Sequence, residues 1–166
     1  MHAKLCAHFN HIGITVQARM RRTPADLEKL LKLPGRIRLV KGAYEENDAV
    51  AHQRPSAGLN EAYRSITATL IDSGHACSIA THDLQQSNWA HELTEQRFGT
   101  ARPTHVQFET LLGLGLEAAE RTLALGYPTR QYVVYGSEWF LYVCHRIAEK
   151  PERLYQALTD IVGIGE

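Results

Sequence analysis

The sequence has a regular beat. Short runs rich in β-branched residues alternate five times with longer segments of helical periodicity. The runs at 11–17 ("HIGITVQ"), 35–42, 76–82, 104–111 and 130–136 read as strands. Between them, 23–33, 58–74, 84–98 and 114–126 read as helices. Thr23 and Pro24 give the first of these the signature of an N-cap followed by proline at the first helical position. Leu59, Tyr63, Ile66 and Leu70 form one stripe on the second. A last helix is expected from Ser137 to Lys150, and Pro151 opens another. Strand–helix units in series require parallel strands, because each helix carries the chain back to the edge from which the previous strand started.

An open doubly wound sheet and part of a (β/α)₈ barrel both satisfy this beat. The polar residues favour the barrel. Gln17, Lys41, Thr81, His82, Asp83, Glu109 and Tyr132 collect at or just beyond the C-terminal ends of successive strands. Barrel enzymes build their sites there from many strands, whereas an open sheet binds at one switch point. The expected fold class is therefore α/β, a partial (β/α)₈ TIM-like barrel of about five βα units. The 166 residues suffice for one domain with a sizeable core.

Several function classes fall away. Formal net charge is zero, so no electrostatic footprint for nucleic acid is present. Apolar runs such as "TLLGLGL" are too short to span a bilayer. The first residues lack the apolar core of a signal peptide, so the expected place is the cytoplasm, either free or peripheral to the inner membrane. Cys6, Cys77 and Cys144 have no Cys-x-x-Cys spacing and read as reduced thiols, mostly buried. No His-x-x-x-His pair occurs, and no metal site is expected.

The residues capable of chemistry leave more than one reading open. Lys41, at a strand end, suits a Schiff-base amine, as in an aldolase, an anion or cofactor ligand, or a snorkelling surface lysine. Arg38 stands three residues earlier, so the two side chains of an ideal strand point to opposite faces. On the last expected helix Tyr142, Arg146 and Glu149 follow at i, i+4 and i+7, with His145 beside them. That face suits a carboxylate held by a guanidinium fork, and equally an exposed ion pair. Thr81-His82-Asp83 suits either catalysis or structural hydrogen bonding.

Taken together, "RLVKGAY", "ATHD", "LLGLG", "YVVYGSEWFLY" and "YVCHRIAE" resemble the proline dehydrogenase family of flavoenzymes, in family order, from about residue 10 to about residue 150. The resemblance implies a distorted (β/α)₈ barrel that binds FAD and oxidises L-proline, or a related cyclic amino acid, to Δ1-pyrroline-5-carboxylate. Hydride passes to the flavin, and a quinone accepts the electrons. By the same resemblance, Gln17 and Arg38 contact the isoalloxazine, with Arg38 near N5. Val40 packs on the ring system, and Lys41, Thr81 and His82 hold polar parts of the cofactor. Ala43, Leu111, Tyr132 and Tyr142 shape the proline pocket, Arg146 grips the substrate carboxylate, and Glu149 supports it or the ammonium end. Arg38, Tyr132, Arg146 and Glu149 are the implied catalytic set.

Three departures accompany the match. His145 stands where the family has the first of two arginines, so one guanidinium fork becomes a single imidazole donor. Arg19 stands where an aromatic residue is usual. The residues 1–166 read as one domain of this type lacking the first three strands of the barrel. The competing expectation is a catalytically impaired half-barrel or assembly module. A five-unit piece leaves two strand edges open, so self-association or a complementary chain is expected.

Overall fold

The computed structural model describes residues 1–43, 46–137, 140 and 144. Contacts within the chain cluster into two units, Met1–Tyr132 and Val133–Glu166, and every strand among the described residues lies in the first. That unit begins with a short helix α1 (His2–Cys6), which no sequence signal announces. Then β1 (Ile14–Gln17), α2 (Thr23–Leu30), β2 (Ile37–Val40), α3 (Ala57–Asp72) and β3 (Cys77–Ala80) follow. The series ends with α4 (Leu84–Phe98), β4 (Val106–Leu111), α5 (Leu116–Ala124) and β5 (Thr129–Tyr132).

All five strands are parallel and pair in sequence order, β1-β2-β3-β4-β5. This order decides the architecture. Parallel crossovers share one hand, so a sheet that never reverses its direction of growth keeps its helices on one face. A doubly wound sheet reverses at a switch point. The fold is a run of consecutive βα units from a barrel, as the strand-end residues predict.

The helix-facing side of the sheet holds the core. Val16, Ile37, Leu39, Cys77, Ile79, Val106 and Phe108 meet Leu27, Leu59, Tyr63, Ile66, Leu70, Ala90 and Tyr127, all buried. The predicted stripe of α3 is the face that packs there. Ser56 caps that helix, its hydroxyl accepting from the Leu59 amide at 3.1 Å. One local expectation is corrected. Thr23 lies inside α2, which Arg22 precedes as the capping residue, and its hydroxyl donates to the Gln17 carbonyl at 2.6 Å. The side chain is thereby taken from helix capping to tie α2 to the end of β1. The predicted last strand also stops early, at Tyr132 rather than residue 136. The helix expected over 137–150 falls almost wholly outside the described residues, as does all of 151–166.

Candidate functional site

The opposite face of the sheet is polar. The register puts Arg38 of β2 level with Ser78 of β3 and Gln107 of β4. Two residues further along, Gln17, Val40, Ala80 and Glu109 occupy the next level on the same side. Arg38 reaches across β3 and donates from Nε to Glu109 Oε2 at 2.5 Å. Gln107 Nε2 donates to Glu109 Oε1 at 3.3 Å and to Ser78 Oγ at 2.6 Å. The Arg38 guanidinium carbon lies 4.9 Å from the centre of the Tyr132 ring, a cation–π contact from β2 to β5. A row of polar side chains thus crosses four strands, and Arg38 of β2 ties both β4 and β5 into it.

Burial works against the charge on Glu109, whose side chain is only 12% exposed. Hydrogen bonds from Arg38 and Ser78, and the Arg38 charge, outweigh that penalty and hold the carboxyl below its ordinary range. The Glu109 carboxylate is therefore ionised at neutral pH. Neither terminal amino group of Arg38 has a hydrogen-bond acceptor among the described residues.

A second cluster stands at the strand ends. Lys41 follows β2 and donates from Nζ to Asp83 Oδ2 at 3.1 Å, and the same nitrogen lies 5.9 Å from the centre of the Tyr63 ring. Asp83 caps α4, its other oxygen accepting from the Gln85 and Gln86 amides. Burial raises the Asp83 carboxyl, yet the Lys41 bond and charge and the two amides bring it below its ordinary range. Lys41 is therefore paired with a carboxylate at the rim, unlike a Schiff-base amine facing an apolar pocket, and its ammonium keeps further N–H donors. As the strand alternation predicts, Arg38 and Lys41 serve different partners.

The remaining sequence candidates take these places. Gln17 ends β1 on the polar face, and its Oε1 is buried with no hydrogen-bond partner. Val40 is half-buried beside it. Ala43 gives its carbonyl to Arg54 at 2.7 Å. Thr81 is buried and accepts from the Asp83 amide. His82 is exposed, and its backbone abuts Gly115, where a Cβ would come within 2.8 Å of the His82 Cα. Leu111 and Tyr132 are paired neighbours at the ends of β4 and β5. Tyr142, His145, Arg146 and Glu149 lie outside the described residues. Glu109, Gln107 and Ser78 were not among the site candidates read from the sequence, although Glu109 stood out as a polar strand-end residue. Arg19, the departure from the usual aromatic, is 2% exposed and donates from Nε to the His52 carbonyl at 2.9 Å. It has become a buried brace between the loops that follow β1 and β2.

The residues of this face fit an isoalloxazine-type ring. An orphaned buried carbonyl oxygen on Gln17 awaits an N–H donor, and Arg38 offers two donors with positive charge. Gly42 adds a steric argument. Its φ is +107°, and a Cβ there would sit 2.7 Å from Gln17 Oε1, so a side chain would close the space beside that oxygen.

A family model described as proline dehydrogenase matches residues 1–149. Proline dehydrogenase 1 of Bacillus subtilis subsp. natto is 34% identical over 154 residues, covering 93% of this chain and 50% of that protein. Proline dehydrogenase of Deinococcus radiodurans is 31% identical over 147 residues, covering 85% of this chain and 44% of that protein. The chain thus spans about half the length of the curated relatives it matches. Among solved structures, proline utilization A from Bdellovibrio bacteriovorus inactivated by N-propargylglycine superposes with a TM-score of 0.73 at 20% identity, over 84% of this chain and 17% of that one. A proline utilization A with proline bound in remote sites gives 0.71 at 19% identity, over 86% and 17% of the two chains. At such identities the structural likeness establishes the fold alone.

Proposed function

Since the chain belongs to the proline dehydrogenase family, we propose that its polar sheet face is the flavin- and proline-binding surface of an enzyme that oxidises L-proline, or a related cyclic amino acid, to the corresponding imine. The observation that carries this reading is the pairing of Arg38, held at Nε and stacked on Tyr132, with the orphaned Gln17 oxygen on the neighbouring strand.

In this reading residues 1–166 form one domain, the part of the barrel after its third strand. Gln17 Oε1 accepts a ring N–H, and Arg38 offers its terminal amino groups to the edge of the isoalloxazine. Val40 packs on the ring, while Lys41, Thr81 and His82 hold polar parts of the cofactor at the rim. FAD, when bound, supplies the acceptor for the hydride leaving the carbon beside the substrate nitrogen, and a quinone takes the electrons onward. Ala43, Leu111 and Tyr132 provide a wall for the substrate. By the family resemblance, Tyr142 is assigned to the substrate ring, Arg146 and Glu149 to its carboxylate and nitrogen, and His145 to a single hydrogen bond in place of an arginine fork. The substrate reacts as the neutral amine, whose lone pair drives hydride loss. The cytoplasm is the setting we infer, with a complementary chain or a second copy covering the open strand edges.

Retention of FAD through desalting tests this reading. We expect the chain to keep the cofactor. Gln17→Ala should weaken binding by about tenfold, the equivalent of ~1.4 kcal/mol. Equal retention by both proteins would remove Gln17 from the site, and no retention by either would contradict the flavin reading.

A further inference from the structure

We propose that Glu109 is the positioning residue for Arg38, and that its charge sets how strongly Arg38 acts on a flavin. The inference rests on the flavin reading of this face, but its cause lies wholly within the chain. Arginine can meet a carboxylate with two parallel bonds. Here the carboxylate takes Nε through Oε2 at 2.5 Å. Its other oxygen is turned away to Gln107, which is anchored in turn on buried Ser78. The Tyr132 ring, 4.9 Å from the guanidinium carbon, limits rotation from the other side. Fixed at Nε and against one face, the guanidinium keeps both terminal amino groups for a ligand.

The carboxylate also has an electrostatic effect. A cation beside a flavin stabilises its electron-rich reduced form, and an adjoining anion damps that stabilisation. The two effects are separable by substitution. Glu109→Gln keeps an acceptor for Nε and removes the charge, whereas Glu109→Ala removes both.

The experiment measures FAD affinity and midpoint potential in the FAD-loaded chain and in both variants. Glu109→Gln should bind oxidised FAD within about twofold of the parent. It should favour the reduced form by about tenfold more, a rise of about 30 mV for a two-electron couple. Glu109→Ala should lose about tenfold in FAD affinity. In an Arg38→Met background, Glu109→Ala should leave FAD affinity where it was, because the carboxylate acts on binding only through the guanidinium. An unchanged potential in Glu109→Gln, or the same tenfold affinity loss in Glu109→Ala without Arg38, would overturn the proposal; a purely structural carboxylate would alter only unfolding.

Should the parent chain hold no FAD, the flavin reading fails and the positioning is decided without cofactor. The Arg38 Nε–H signal, observed by ¹⁵N NMR, should then exchange slowly in the parent and become fast in Glu109→Ala. Fast exchange in both would overturn the positioning role as well.

Discussion

Arg38 and Glu109 show how two charged residues are tolerated on a strand face. Their side chains are 25% and 12% exposed, so each is costly to leave alone and inexpensive to keep together. Arg38→Met should therefore destabilise the fold by about 2 kcal/mol in urea denaturation, as expected for breaking a partly buried pair. Adding Glu109→Gln should recover part of that loss, because the orphaned carboxylate disappears. The pH dependence follows from the same pair and from Asp83. Both carboxyls are held below their ordinary range in the folded chain. Their stabilisation is complete above the unfolded carboxylate values near pH 4 and is lost as pH falls through the lower folded values. Urea midpoints measured from pH 6 to pH 3 should fall less steeply for the Glu109→Gln, Asp83→Asn double variant than for the parent.

At the scale of elements, much of the fold was legible and the network was not. Buried parallel strands read as short apolar runs, so β2, β3 and β4 could be found from sequence alone. Their polar ends pointed to a barrel piece. Contacts between Arg38 and Glu109, or Arg38 and Tyr132, depend on the register of strands far apart in the chain. Residue types along a single strand carry no information about that register, and so Gln107 and Ser78 escaped notice. Thr23 shows the limit of a local signal: the capping pattern was present, but a carbonyl at the end of β1 claimed the hydroxyl. Asp83 shows the reverse, since its place before α4 does mark a cap, and its pairing with Lys41 adds a tertiary bond. Asp83→Ala should cost about 1–2 kcal/mol by losing both, while Asp83→Asn retains the cap and should cost less than half as much. Urea denaturation of the two variants checks the order.

For the molecule as a whole, the sheet has two ends. Among the described residues β1 pairs only with β2, and β5 only with β4, so each outer edge lacks a neighbouring strand. Phe9, Leu112, Leu116 and Leu123 are exposed as well. No helix among the described residues is long and apolar enough to cross a membrane. Exposed strand edges are templates for pairing with another chain. Light scattering should give a mass of at least two copies for the purified chain, falling toward one copy on dilution; a single copy at every concentration would contradict self-association. Thiol chemistry plays no part in that expectation for Cys77, whose burial pushes its pKa up to about 12 and leaves it a packed, unreactive core residue.

Anaerobic addition of L-proline to the FAD-loaded chain, followed by its absorbance near 450 nm, asks whether the polar sheet face is the flavin and proline surface proposed for it. The flavin band should bleach with proline and return when a quinone is added. A band that stays unchanged in saturating proline, on a chain that demonstrably holds FAD, would rule that assignment out.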